Sequence, residues 1–258
     1  MIRNLLIITV VGLILAIVGL GGGLALGGRD LAGPGWTWVF TDDEAGDGGF
    51  RVERGEVAPD ATRTIEWSGG DRLAIDLPAD ITYEQGAEAG ITVTGPENVV
   101  QRVRFSEGRL SMDKAPEGER SYIRWNRTGV HGWSETERLR ITVTAPAVKA
   151  FDVAGRSELD IRAYDQPTLA LTLSGSADVN AQGRTGDVTL DISGNGDADL
   201  EALAMTDAVV TVSGDGDARL GPTGEARVDI SGNGDVALTR RPTRLEQNLS
   251  GSGTLEQE

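Results

Sequence analysis

Apolar and polar residues alternate with a period of two through the second half of the chain, and the alternation restarts about every nineteen residues. Leu169, Leu171 and Leu173 alternate with Ala170 and Thr172, and Val188, Leu190 and Ile192 alternate with Thr189 and Asp191. Ala208/Val210/Val212 and Ala226/Val228/Ile230 repeat the pattern. Strict alternation predicts strands with one buried face and one wet face.

Each run closes on the same turn. The copies are Phe151-Asp-Val-Ala-Gly155, Leu171-Thr-Leu-Ser-Gly175, Leu190-Asp-Ile-Ser-Gly194, Val210-Thr-Val-Ser-Gly214, Val228-Asp-Ile-Ser-Gly232 and Gln247-Asn-Leu-Ser-Gly251, with glycine spacings of 20, 19, 20, 18 and 19. No copy can bury its apolar face alone, so the copies must stack. A coil of this length fits one turn of a β-solenoid, with parallel strands about 4.8 Å apart and like residues over like. Parallel crossovers are overwhelmingly right-handed. The fold class is therefore all-β, a right-handed parallel β-helix of about nineteen residues per coil. Glycines after Ser and before Asp are expected to supply positive φ at the bends, with Ser and Asp side chains bonding the turn N–H groups.

Residues 63 to 145 read as a less regular part of the same body. Thr64-Ile-Glu-Trp-Ser-Gly-Gly-Asp71 echoes the turn, and Leu73/Ile75/Leu77, Ile91/Val93, Val99/Val103/Phe105 and Ile141/Val143 are further strand candidates, ended by Pro78, Pro96 and Pro146. Together with the serial Ser-Gly-x-Gly-Asp turns, Leu77-Pro-Ala-Asp-Ile-Thr-Tyr-Glu-Gln-Gly86 and Leu139-Arg-Ile-Thr-Val-Thr-Ala-Pro146 make residues about 65 to 258 resemble the head GIN domain family, described as autotransporter adhesins. The resemblance implies a β-helix-like domain in a bacterial envelope protein and no reaction. The first copy departs from the signature at Ala154-Gly-Arg-Ser-Glu158, and the last carries Thr254 in place of the acid. Both are terminal, where capping copies differ.

The N-terminus sets an address. Leu5 to Leu26 is uncharged and long enough to span a hydrocarbon core of about 30 Å. Arg3 precedes it, so the positive-inside rule holds the N-terminus in the cytoplasm and puts the rest outside. Residues 1–27 are expected to be a transmembrane helix anchoring the chain in the cytoplasmic membrane. A cleaved signal peptide is the alternative, although its apolar core is usually shorter, about 7–15 residues. Residues 28–62 read as a Gly-rich acidic linker, in which Trp36, Trp38 and Phe40 alternate as a short strand or interfacial belt would. The β-helix is assigned to 63–258.

Composition removes several classes of function. The net charge of −16 argues against nucleic acid as a partner. The chain has no Cys and one His, His131, so disulfides, thiolate metal sites and His-dependent triads are not expected. No catalytic residue, cofactor site or metal centre is assigned.

Two constellations remain. Asp178, Asp197, Asp217 and Asp235 follow the repeated Gly and should form a ladder along one edge. Neighbouring unit charges about 4.8 Å apart repel by roughly 0.9 kcal/mol in water, which Ca²⁺ could relieve. Solvated turns explain the pattern without a cation, because the nine-residue period of calcium-binding β-rolls is missing. The second is the segment from 120 to 140, which carries five Arg and two Glu. Tyr122, Arg124, Trp125, Arg127, His131 and Trp133 are candidates for contact with a glycan or an acidic partner, set against a hairpin that plugs the end of the β-helix.

The expected function is a non-catalytic, membrane-anchored envelope module, adhesive or otherwise interacting with an envelope protein or polysaccharide. Calcium or glycan binding is the alternative, and a polysaccharide-active enzyme is third. The carboxylates recur once per coil and form no unique acid–base cluster.

Overall fold

The computed structural model describes residues 36–42, 50–54, 58–114, 120–126 and 129–257, which divide into two units. The expected helix at Leu5–Leu26 lies outside these residues. Among the described residues no helix is long and apolar enough to cross a membrane.

The smaller unit is a four-stranded sheet of β1 (Trp36–Asp42), β2 (Phe50–Arg54), β9 (Arg120–Asn126) and β10 (Gly129–Ser134), in the order β10-β9-β1-β2. β1 runs antiparallel to both neighbours, with Trp38 opposite Arg54 on one side and Ile123 on the other. The alternation at Trp36, Trp38 and Phe40 is thus a strand with two partners, although the segment reads as linker in the sequence. Its partner β9 comes from the Arg- and Trp-rich segment about 80 residues later, a pairing that no local pattern announces.

The larger unit holds β3 (Asp60–Ile65), β4 (Arg72–Asp76), β5 (Asp80–Gln85), β6 (Gly90–Pro96), α1 (Glu97–Val100), β7 (Val103–Ser106) and β8 (Arg109–Met112). After the excursion it continues through β11 (Arg140–Ala145), β12 (Ala150–Gly155), β13 (Glu158–Gly175) and β14 (Asp178–Ile192). It ends with β15 (Ala198–Met205), β16 (Asp207–Val212), β17 (Ala218–Pro222), β18 (Glu225–Ile230), β19 (Val236–Leu238), β20 (Arg244–Leu249) and β21 (Leu255–Gln257). The unit is a β-solenoid. One ladder runs β12, the end of β13, the end of β14, β16, β18, β20, and a second runs the starts of β13, β14 and β15, then β17, β19, β21; every pair in both is parallel.

Like stacks on like. Leu173, Ile192, Val212 and Ile230 form one row, and Leu171, Leu190, Val210 and Val228 another, all essentially inaccessible to solvent. Fully burying one such side chain contributes about 1.5–3 kcal/mol, so the rows rather than any single coil hold the body together.

The repeated glycines are required by stacking more than by φ. Among the repeated turn glycines, positive φ occurs only at Gly155 (83°) and Gly175 (88°). At Gly194, Gly214, Gly232 and Gly251 an added Cβ would approach the carbonyl oxygen of the previous coil's glycine to 2.1, 1.9, 1.9 and 1.8 Å. The conformational freedom of glycine is thus used at two copies, and at the others the coils lie too close at these corners for any side chain.

The first part of the unit departs from a simple coil. β4 lies between β8 and β12, and β5 between β11 and β13, all in parallel register. The chain therefore slots residues 72–85 into the ladder beside strands lying about 60–80 positions later. Buried hydrogen bonds fix this insertion: the Tyr83 hydroxyl donates to the Ala145 carbonyl (2.9 Å) and the Ser157 hydroxyl to that of Leu77 (2.7 Å). Antiparallel pairs β3–β6, β6–β11 and β7–β8 complete this end. The echo of the repeat at Trp67-Ser-Gly-Gly-Asp71 follows an antiparallel strand and is not a solenoid turn of the later kind.

Candidate functional site

The recurring turn uses its later serines and its aspartates within the fold. Ser193, Ser213, Ser231 and Ser250 donate their backbone N–H groups to Leu173, Ile192, Val212 and Ile230 of the preceding coil at 2.8–3.0 Å. Their hydroxyls lie 3.2–3.5 Å from the same carbonyls. On the far side of the turn, Asp178 Oδ1 accepts the N–H of Asp197 (3.1 Å), Asp197 that of Asp217 (2.9 Å) and Asp217 that of Asp235 (2.7 Å).

Asp235 closes the ladder by accepting both the N–H (2.7 Å) and the hydroxyl (2.8 Å) of Thr254. The Thr254 hydroxyl, and then its N–H, hold the Asp235 carboxyl below the usual carboxylate range. At the position of the missing acid, Thr254 instead turns its hydroxyl back to the coil before it, and no later coil follows among the described residues. The four aspartates are exposed and sit one coil apart, as the spacing predicts. Each turns one oxygen onto the backbone of the next coil. Among the described residues, no group of three or more His, Asp or Glu side chains is arranged to hold a metal ion.

The Arg- and Trp-bearing segment is positioned by β9 and β10. Tyr122 is buried and stacks on Trp133, with ring centroids 5.7 Å apart and planes 18° from parallel. Trp133 is half-buried, and its indole N–H is enclosed without an acceptor among the described residues. Arg124 and Trp125 lie in β9, in backbone register with Thr37 and Trp36. His131 lies in β10, and Arg127 falls outside the described residues. Of the six candidates, then, the structure brings Tyr122 and Trp133 together. The segment builds a sheet with β1 and β2 instead of adding a strand to the solenoid ladders.

A shallow groove along the solenoid was not legible in the sequence. Asp160, Arg162, Asn180, Gln182, Asp199 and Glu201 line it. It opens where the ladder slips register, between Ile161 and Tyr164, Asn180 and Gly183, and Leu200 and Met205. Ala163 there has φ of 52°, which a non-glycine residue rarely adopts. Its charges are matched within the chain: Arg162 bonds Asp160 (2.9 Å), Arg219 bonds Glu201 (2.8 Å), and the Glu201 N–H donates to Asp199 (3.0 Å). The signal was faint, a run of polar residues between two alternating stretches.

The chain is similar in fold to the solved structure of a "putative adhesin" from Bacteroides fragilis, with 17% identity, a TM-score of 0.56, and coverage of 78% of this chain and 97% of that one. A "putative adhesin" from Parabacteroides distasonis matches at 16% identity and a TM-score of 0.48, over 78% of this chain and 98% of the other. No curated protein matches. The family model described as "Putative auto-transporter adhesin, head GIN domain" matches residues 71–242, more than half of the chain, which therefore belongs to that family.

Proposed function

We propose that the chain is a non-catalytic interaction module of the bacterial cell envelope, of adhesin type, with Leu5–Leu26 anchoring it in the cytoplasmic membrane and a right-handed solenoid standing on the outer side. The observation that carries the non-catalytic reading is the use of the turn residues. Serine and aspartate in successive coils are bonded to the neighbouring coil. A catalytic pair of carboxylates needs one acid and one base facing a common bond, whereas here the same carboxylate recurs with the same partner. Arg3 ahead of the uncharged stretch supports the topology.

Protease added to intact spheroplasts tests the address. Degradation of residues 28–258 is expected, and protection until lysis would refute the topology. Turnover of any envelope polysaccharide by the purified chain would refute the non-catalytic reading.

Contact with a glycan or acidic partner through the β9–β10 segment is the second reading. It is favoured by the half-buried ring of Trp133, held in place by its stack on Tyr122 in the segment from 120 to 140 that carries five Arg, since aromatic surface beside guanidinium groups suits a sugar or a carboxylate. Arg124, Trp125, Arg127 and His131 would complete that contact. Binding of envelope polysaccharide to the full chain, lost on Trp125→Ala with an unchanged melt, is the expected result.

A further inference from the structure

Among the described residues, the coil of β20 and β21 presents an edge that pairs with no further strand. β20 pairs with β18 through Arg244–Leu249, and β21 with β19 through Leu255–Gln257; no later strand follows among the described residues. The inward rows finish on Gln247 and Leu249, the latter 43% exposed, with Leu245 and Leu255 half-buried beside them. An edge strand of this kind is a template for another strand unless Pro, an inward charge or a bulge blunts it. β20 has none of these: its inward residues are Leu245, Gln247 and Leu249, and its charges, Arg244 and Glu246, point outward toward Glu225 and Arg227 of the previous coil (3.6 and 3.7 Å).

The backbone fixes which register a partner must take. Arg244 and Ser250 donate their N–H groups to Gly224 and Ile230 of the previous coil. Along a strand, alternate residues bond to opposite sides. The even-numbered residues of β20 therefore serve β18, and Leu245, Gln247 and Leu249 turn their N–H and C=O groups to the open edge.

We propose that this edge pairs with β20 of a second copy, antiparallel about a two-fold axis through Gln247. Antiparallel partners must both offer free groups, so odd residues face odd residues, and the register with the longest overlap sets Gln247 against itself. Every side chain then meets a compatible one. Leu245 faces Leu249 of the other copy, which covers the exposed leucine with apolar surface. Outside, Glu246 faces Asn248, an acceptor against an amide donor, and avoids its own copy. Gln247 alone meets itself, and an amide carries both donor and acceptor, so two copies satisfy each other where two charges would repel. An isologous contact of this type closes as a dimer and propagates no fibre.

Because the chain contains no cysteine, disulfide mapping in the full-length protein in detergent micelles is unambiguous. Residues opposed across an antiparallel pair lie about 4.5–5.5 Å apart at Cα, within disulfide reach. On mild oxidation, Gln247→Cys is expected to link to itself in most molecules, and Glu246→Cys alone is not. Glu246→Cys mixed with Asn248→Cys is expected to give the mixed dimer. Adding Leu249→Lys to Gln247→Cys, at a position already exposed, should abolish the link while leaving the melting temperature of the reduced monomer unchanged. No link at 247, equal linking at 246, or a link that survives Leu249→Lys would each overturn the proposal.

Discussion

Asp191 and Asp229 are held two coils apart by Thr211, which lies in register with both. The same outward row continues as Asp152, Thr172 and Asp191, and ends at Asn248, so acids occupy every second coil. Across the turn the acids stack in successive coils, at 178, 197, 217 and 235. The difference follows from their partners. A turn carboxylate accepts a backbone N–H from the next coil, which offsets the repulsion, whereas the strand row has its N–H groups committed to the ladder and must dilute its charge.

Thr211→Asp should therefore be destabilising even though the residue faces outward. Two new neighbours about 4.8 Å away cost roughly 0.9 kcal/mol each in bulk water, and less as salt screens them. Thr211→Asn should stay within about 0.5 kcal/mol of wild type. Denaturant melts at 0.05 and 1 M salt check this; an Asp penalty that does not shrink with salt would refute the charge argument.

Next to it, Val212 is fully buried between Ile192 and Ile230. Val212→Asp places an unpaired carboxylate in the apolar row and should cost several kcal/mol, with little salt dependence. Equal, salt-sensitive losses at 211 and 212 would contradict the register.

Gly214→Ala tests the corner. The new Cβ would sit 1.9 Å from the Gly194 carbonyl oxygen, so backbone must shift, whereas Gly70→Ala meets nothing within 4 Å. The first should cost several kcal/mol. The second should be neutral or stabilise by up to about 1 kcal/mol, because alanine restricts the unfolded chain. The order of the two midpoints in urea decides it.

These residues show how much was legible. Alternation at 169–173 and 188–192 gave the strands, and the equal spacing of Ser-Gly gave the stacking, because a solenoid repeats its local physics in every coil. The parallel solenoid and its rows could be read for the same reason. What escaped was non-local. The slotting of β4 and β5 between later strands rests on Tyr83 reaching Ala145 and Ser157 reaching Leu77, contacts set by tertiary packing. The pairing of β1 with β9 is another such case. The role of the turn glycines was read from φ preference, and the close approach of coils outweighs it. In the candidate site, spacing alone places the aspartates on one edge, but their acceptance of the next coil's N–H depends on side-chain direction.

The turn ladder makes a forecast for cation binding. Asp217 accepts the Asp235 N–H at 2.7 Å, and an asparagine oxygen can accept the same bond. Asp217→Asn should lie within about 0.5 kcal/mol of wild type, and Asp217→Ala should cost about 1 kcal/mol by leaving the N–H to water. Millimolar Ca²⁺ should shift the melting temperature no more than Mg²⁺ does. A large Ca²⁺-specific rise, lost in Asp197→Asn/Asp217→Asn, would install a cation site on this edge.

Acid should loosen the solenoid at particular places. Bonding to Arg184, to Arg227 and to Thr254 lowers the carboxyl pKa values of Asp165, Asp229 and Asp235, respectively, below the ordinary carboxylate range. A carboxyl with a depressed folded pKa binds protons more readily when unfolded. Its stabilisation is therefore complete above the unfolded value, about 3.9, and is lost as pH falls through the lower folded value. Stability should be flat from about pH 7 to 5 with respect to these groups and fall below about pH 4. Arg184→Gln should shallow that fall, and an unchanged acid limb would remove the Asp165–Arg184 pair from the account.

Trp133 carries the sharpest contrast. Its ring stacks on buried Tyr122, yet its indole N–H is enclosed with no acceptor among the described residues. An unsatisfied buried donor costs about 1–3 kcal/mol, which the stack must offset. Trp133→Phe keeps an aromatic face over Tyr122 and deletes the orphan donor, so the fold should be as stable as wild type or up to about 1 kcal/mol more stable. Trp133→Ala also deletes the stack, and should cost a few kcal/mol, less than the roughly 3–5 of a fully enclosed Trp because the residue is half-buried. Because the enclosed N–H cannot reach an external partner, Trp133→Phe should leave any binding of an envelope polysaccharide unchanged while the melt holds or rises. A Phe variant that loses binding would show that the indole opens to a partner, and one that melts lower would show that the indole is bonded after all.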